Sequence, residues 1–301
     1  MSAAARTVAP IPRSPTFSFD RGSSAAGADE AIPRHWLGGH ALGTHIANGV
    51  NLLFPAGERF FIRSVRHYLD NPAWAQPGSP ADQAALEELR RQARGFFGQE
   101  GWHAQAHERF FQVLEGQGYA LQGFLRVYQA IAYGFIERVA PRKLSLSVTA
   151  ACEHFTATLA EQALTDGVLQ QAHPTVRALL LWHAAEEIEH KAVAFDVLQR
   201  VSRSYALRVT GLGVASLLLV SFWWSATLML LAQDLRKGSL RLGQGRMSEE
   251  LQVLRRLRQQ RQARGGGLLR GVMTYLRRDF HPDQQDNRAL ASDYLRSVGM
   301  A

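Results

Sequence analysis

The 301-residue sequence holds one cysteine, Cys152. A single thiol excludes an intramolecular disulfide framework. It also excludes a cysteine-based zinc or iron–sulfur centre within one chain. Cys152 reads as a small core residue, and a reducing compartment suits it. Alternating apolar and polar runs are missing as well, so almost nothing reads as a β-strand. No Ser/His/Asp or Cys/His nucleophile motif stands out, and no His-Glu-x-x-His zinc signature is present. No apolar stretch of signal-peptide length follows the first Met and Arg6. The expectation is a protein on the cytoplasmic side, with the inner membrane as a surface it can associate with.

Residues 1–32 are rich in Ala, Ser, Pro and Gly and lack apolar periodicity, which suggests a disordered leader. The ordered chain is expected to begin near His35-Trp36-Leu37. Helical spacing of apolar residues then marks His45–Leu69, with Pro55 near its middle and Asp70-Asn71-Pro72 at its end. Further helices are expected from Ala81 to Glu115, Tyr119 to Val139, Lys143 to Ala163, and Pro174 to Arg203. Gly116-Gln117-Gly118, Pro141 and Asp166-Gly167 separate them.

The stretch Thr210–Ala232 has 23 residues and no charge. That is enough to cross a hydrocarbon core of about 30 Å. Trp223 and Trp224 lie in its middle rather than at an edge, and basic residues flank both ends, so no inside–outside bias emerges. A single span, a monotopic or re-entrant insertion, and a buried core helix are the open readings. The net charge of +8 is unevenly placed. From Leu235 onward there are 14 Lys/Arg against 6 Asp/Glu, and the rest of the chain has 20 of each. Such asymmetry points to an anionic surface as a partner or to a solvated tail. Glu249–Arg264 reads as a basic helix, and Gly265 to Gly267 as a hinge. No motif that reads bases is present, so specific nucleic-acid binding is not expected.

Four helices place acidic or imidazole groups where apolar ones are usual. They carry Glu58, then Glu100 with His103, then Glu153, then Glu187 with His190. At 3.6 residues per turn, the two Glu-x-x-His pairs each point to one side of their helix. A Glu from each of two helices and a Glu-x-x-His from each of two others form the ligand set of ferritin-like dinuclear carboxylate sites. Carboxylates can bridge two cations, imidazoles supply terminal nitrogens, and four carboxylates neutralise two divalent ions. The expected fold is therefore all-α: a ferritin-like helical bundle over 33–205, an additional hydrophobic helix over 206–232, and a basic helical region over 233–301. Two metal ions are expected, iron first, with manganese or zinc as the other candidates.

His183 and His107 lie four residues from Glu187 and His103, so both share a ligand face. Either can be a seventh ligand or stand behind one by hydrogen bonding. Glu186, about 100° around the helix from Glu187, is expected behind the ligands. Glu161, two turns past Glu153, is a similar candidate. Glu189 is expected to face solvent, and His154 to be structural. Nearby aromatics such as Phe60, Phe61, Phe96 and Phe155 read as core, with some free to line an apolar pocket.

At these motifs the chain resembles the bacterial family described as predicted metal-dependent hydrolase. The resemblance is carried by Gly57-Glu-Arg-Phe-Phe61, by Gln99-Glu-Gly-Trp-His103 with His107, by Thr149-Ala-Ala-Cys-Glu-His-Phe-Thr156, and by the run Trp182–Phe195. It covers about residues 33–235. A more distant resemblance, to the p-aminobenzoate N-oxygenase type of di-iron enzyme, rests on His183-x-x-x-Glu187-x-x-His190 and on ligand order. It implies a seven-ligand di-iron site with His183 as the additional ligand.

The leading expectation is an oxygen-activating di-iron oxidoreductase acting on a small, apolar molecule such as a lipid or fatty acyl derivative. It would need an electron donor that the sequence does not name. The alternatives are a hydrolase using metal-activated water, and a non-enzymatic, metal-binding, membrane-associated protein. A homodimer is a further expectation about assembly.

Overall fold

The computed structural model describes residues 9–19, 31–71, 79–240 and 267–300. Among these residues the regular elements are helical, and the one extended pairing is an isolated bridge between Leu37 and Ala172. The all-α expectation holds.

The helix expected over His45–Leu69 is two helices, α1 (Ala41–Asn51) and α2 (Phe54–Leu69). Pro55 explains the break: it occupies the first turn of α2, where its missing N–H is no loss. α3 (Pro80–Gly116) starts on Ser79, whose side chain accepts from the Asp82 N–H. It runs for 37 residues, about 55 Å.

Gly95 and Gly98 do not interrupt α3; they make room on its surface. A Cβ on Gly95 would lie 2.0 Å from Pro10 O, and one on Gly98 would lie 2.3 Å from Pro12 Cγ. Residues 9–19 are thus a strap laid along α3, not part of a disordered leader. Phe17 meets Trp182 edge-on, and Phe19 packs near Phe110. The leader's low periodicity concealed two aromatic anchors and one arginine.

α4 (Gln122–Tyr128) continues into a π-helical stretch, Gln129–Ile136, and a last short turn, α5 (Glu137–Val139). α6 (Arg142–Thr165) ends before Gly167, which takes the left-handed conformation (φ 71°) that glycine permits. The helix expected over Pro174–Arg203 breaks after His190 into α7 (Pro174–His190) and α8 (Val193–Val201). Lys191 caps the break and donates to Gln285 O and Asn287 Oδ1.

α9 (Tyr205–Arg236) is long and apolar enough to cross a membrane by length and composition. It lies against α1 and α6. Only 22% of its most apolar window is buried, so it is not the fully enclosed core helix that was one reading. The described part of the C-terminal region folds back onto the bundle. α10 (Leu268–Met273) packs on α6, with Gly271 against Thr158. α11 (Arg288–Ser297) packs on α7. Tyr275 and Leu295 are buried there, so this stretch belongs to the core rather than to a separate basic region. The basic helix expected over 249–264 lies outside the described residues, as do Gly265 and Gly266.

Two apolar clusters hold the bundle. One gathers Trp36, Phe110, Leu114, Leu179 and Trp182. The other gathers Val65, Phe96, Leu146, Phe195 and Tyr275. Each fully buried side chain of this size contributes about 2 kcal/mol. Along α3 the change from one cluster to the other passes through Gln99, Glu100, His103 and His107, all 0% exposed. A polar layer thus interrupts the core at mid-bundle.

Candidate metal centre

That layer is built from α2, α3, α6 and α7. Glu58, Glu100, His103, Glu153, His183, Glu187 and His190 all lie in it, none more than 3% exposed. Their donor atoms form overlapping groups, each gathered within 4.8 Å. One is Glu100, Glu153, Glu187 and His190; others are Glu58, Glu100 and His103, and His103, His183 and Glu187. Glu100 and Glu187 occur in groups at both ends, as carboxylates bridging two ions would. All seven residues expected from the sequence are brought together.

Burial of this kind is costly without compensation. Both carboxylate oxygens of Glu58, Glu100 and Glu153 are buried without a hydrogen-bond partner among the described residues, as are His190 Nε2 and His103 Nδ1. His190 Nε2 comes within 3.1 Å of Glu100 and 3.4 Å of Glu153 and Glu187, but not at hydrogen-bonding angles. Buried, unpaired carboxylates cost several kcal/mol each, on the order of a whole domain's net stability when summed. Divalent cations among them remove that cost, so the donor set fits a metal pair.

The groups behind the ligands aim their lone pairs inward. The Gln99 side-chain oxygen accepts from His190 Nδ1 at 2.9 Å, which leaves Nε2 to face the carboxylates. Glu186 accepts from His103 Nε2 at 3.0 Å, which leaves Nδ1 to face Glu100 and Glu187. Arg13 from the strap holds Glu186 at 3.3 Å and grips Glu189 with both terminal nitrogens, at 2.7 and 3.0 Å. Gln99 Nε2 donates to Glu189 and to Ile11 O. Thr156 donates to Glu187.

Of the two histidines left open, His183 faces the carboxylates, with Nε2 2.8 Å from Glu187 and 3.7 Å from Glu58. His107 stands behind it, Nε2 against His183 Nδ1 at 2.6 Å. Glu186 stands behind His103 rather than among the clustered carboxylates. Glu161 does not stand behind the ligands as expected: its carboxylate meets the side chain of Gln285. Two turns of helix, about 12 Å, carry it past the polar layer. Glu189 is only partly solvated, because the strap's Arg13 and the Gln99 amide bind its carboxylate. His154 bonds Gly271 O at 2.9 Å, in the structural role expected. The sequence reading missed Arg13, Gln99 and Thr156. Gln99 and Thr156 stand inside the ligand motifs, which was the available signal; Arg13 gave none.

Burial pushes the Glu58, Glu100 and Glu153 carboxyls up, and repulsion among neighbouring carboxylates adds to it. Burial alone would lower His190, but Glu187 and Glu153 outweigh it and raise the imidazole. Burial lowers His103 and His107. Burial also pushes Glu186 up to about 8, against the pull of Arg13.

Beside the layer lies an apolar cavity of about 120 Å³, lined by Phe60, Phe61, Leu218, Leu219, Phe222 and others, and touched by Glu58 and Thr156. A second acid–imidazole cluster lies elsewhere. Asp234 Oδ2 accepts from His35 and His45, and Oδ1 from Arg34 and Tyr119, at 2.6–2.8 Å. Four donors saturate this carboxylate, and the Arg34 charge would repel a cation, so it reads as a clasp between α9 and the start of the bundle.

No curated protein and no solved structure matches the chain significantly. The sequence profile of a family described as predicted metal-dependent hydrolase matches residues 23–286, a span that takes in every candidate ligand and the four helices that carry them. The chain therefore belongs to the predicted metal-dependent hydrolase family.

Proposed function

We propose that this chain is an enzyme with a dinuclear metal centre that acts on an apolar molecule held in the cavity next to Glu58. The position of Glu58 carries the proposal. Its orphaned carboxylate belongs to the ligand cluster, and the same side chain lines the cavity. A molecule filling that cavity would touch the metal-binding groups directly. Glu153 and His190 would hold one ion, Glu58, His103 and His183 the other, and Glu100 and Glu187 would reach both. Carboxylate and imidazole donors suit iron, manganese and zinc.

When bound, the ions supply Lewis-acid activation of a water or, as iron, electrons for dioxygen. The chain's own groups do the rest. The Phe and Leu walls exclude bulk water from the centre. Thr156 and Gln99 fix the orientation of Glu187 and His190. The hydroxyls of Tyr128 and Tyr133, 2.6 Å apart, offer a polar contact in the cavity wall near Gly57 and Glu58.

Family membership supports hydrolysis as the reaction. Oxygen activation is the second reading, favoured by the donor set: four carboxylates and two imidazoles from four helices match ferritin-like dinuclear sites, and His183 adds a third imidazole. Metal analysis of protein purified without chelators, paired with spectra and turnover assays, tests both. Cleavage of long-chain acyl esters without oxygen supports hydrolysis. Iron with an oxygen-sensitive spectrum and oxygen uptake supports the second reading. No bound metal after reconstitution would overturn both.

A further inference from the structure

The cavity is walled by two antiparallel elements. The side chain of Gln233, near the end of α9, meets Ala120 at the start of the α4 arm, and Phe222 meets Tyr128 midway, rings 4.8 Å apart. Their inner sides supply Leu218, Leu219 and Phe222 from α9, and Ala132, Tyr133 and Ile136 from the π-helical arm, to the cavity. Their outer sides are apolar and exposed. On the arm, Val127, Ile131, Phe135 and Val139 recur every fourth residue, Phe135 64% and Val139 65% exposed. The wider turns of the π-helix keep such a stripe on one side. On α9, Leu217, Val220, Trp224 and Leu228 form a matching stripe, Leu217 68% and Trp224 50% exposed.

Contiguous exposed apolar surface rimmed by polar residues marks an interaction site, and basic groups predominate on the rim here. Arg138, Arg142 and Lys143 are exposed beside one end of the face, and Arg126 and Arg236 beside the other. The acid within the arm, Glu137, is neutralised by Arg63 at 2.6 Å. A second copy of this chain is a poor occupant. Both ends are basic, so parallel and antiparallel pairing alike set arginines against arginines. An anionic phospholipid surface complements both the rim and the centre.

α9 meets that surface from one side only. A Cβ on Gly211 would strike Ser147, and one on Gly49 would strike Thr227, so both halves of the helix are pressed onto the bundle. Arg208 and Asp234, near its two ends, are buried in the protein.

We propose that α9 and the α4–π–α5 arm form a monotopic docking face for anionic membranes, and that the cavity between them admits a long-chain amphiphile from the bilayer. The substrate half rests on the function proposed above; the docking half does not.

Sedimentation of the full chain with vesicles tests it. Vesicles of equal parts phosphatidylcholine and phosphatidylglycerol should carry the protein down, and phosphatidylcholine alone should carry much less. The double substitution Phe135→Glu with Val139→Glu, at exposed positions, should lower vesicle binding at least tenfold with metal content unchanged. Arg138→Glu with Arg142→Glu should remove most of the salt-sensitive part. Brominated lipid should quench Trp224, an effect lost in Trp224→Phe. Unchanged vesicle binding in both double variants would overturn the proposal. So would a solution dimer that Phe135→Glu with Val139→Glu converts to monomer. If Glu100→Ala still docks but keeps its metal, the metal-site reading fails and the docking face stands.

Discussion

Arg13 reaches Glu186 at 3.3 Å, and Glu186 accepts from the ring N–H of His103 at 3.0 Å. Arg13 thereby bears on the orientation of a candidate metal ligand 90 positions later. The same strap engages the other side of the layer, because Ile11 O and Glu189 hold the Gln99 amide that orients His190. Loss of groups that orient metal ligands lowers affinity about 10- to 100-fold. Arg13→Ala should weaken metal binding within that range, as measured by competition with a chromogenic chelator. Arg13→Lys should recover only part of it, because an ammonium cannot grip Glu189 as a fork. Equal affinity in wild type and Arg13→Ala would remove the strap from the site.

The orphaned carboxylates set metal binding against the stability of the bundle. Glu100→Ala and Glu187→Ala should each abolish bound metal with little loss of helical circular dichroism. Glu153→Gln removes a buried acid that must either ionise without a hydrogen-bond partner or take up a proton on folding. It should raise the stability of metal-stripped protein by about 1–3 kcal/mol while lowering that of the loaded protein. Denaturant titrations with and without metal read both signs. A loss of stability in both states would mean that Glu153 is structural.

The buried polar cluster was legible because its residues violate helical patterning: Glu58, Glu100, Glu153 and Glu187 occupy inward positions where apolar residues are usual. Helix order was legible for the same reason. What escaped depends on contacts far apart in sequence. Nothing near Arg13 announces Glu186, which is 173 positions away. Glu189 read as solvated because its helix position is outward, and only the strap covers it. Glu161 shares a helical side with Glu153, but periodicity gives direction and not depth. The breaks at Pro55 and Lys191 shifted helix ends without moving a ligand. The inner face of α9 was hidden by its uniform apolarity, which gives no periodic signal.

Metal binding should strengthen as pH rises. Glu58, Glu100, Glu153 and His190 all hold protons more tightly than usual in this cluster, so cations must displace them. Below about 8, Glu186 also takes up a proton and loosens its hold on His103. Each effect has the same sign: affinity falls as pH falls. Calorimetric titration in buffers of different ionisation enthalpy should show proton release on loading. Proton uptake, or affinity flat from acidic to alkaline pH, would contradict the ligand assignment.

Asp234 gives a control that separates stability from the metal centre. Its carboxylate accepts from Arg34, His35, His45 and Tyr119, and it ties the end of α9 to the start of the bundle. Hydrogen bonds from these groups outweigh burial and hold it far below the usual carboxylate range. Removing one partner of a buried charged network leaves the others uncompensated, at a cost of about 3–5 kcal/mol. Asp234→Ala should therefore lower the unfolding free energy by about 3 kcal/mol. Asp234→Asn should lose less, because it keeps one acceptor oxygen. Bound metal per folded chain should be unchanged in both. If Asp234→Ala instead lost metal in proportion to its stability, the clasp and the centre would be one cooperative unit, and the His35–His45–Asp234 cluster would have to be reconsidered as part of the metal site.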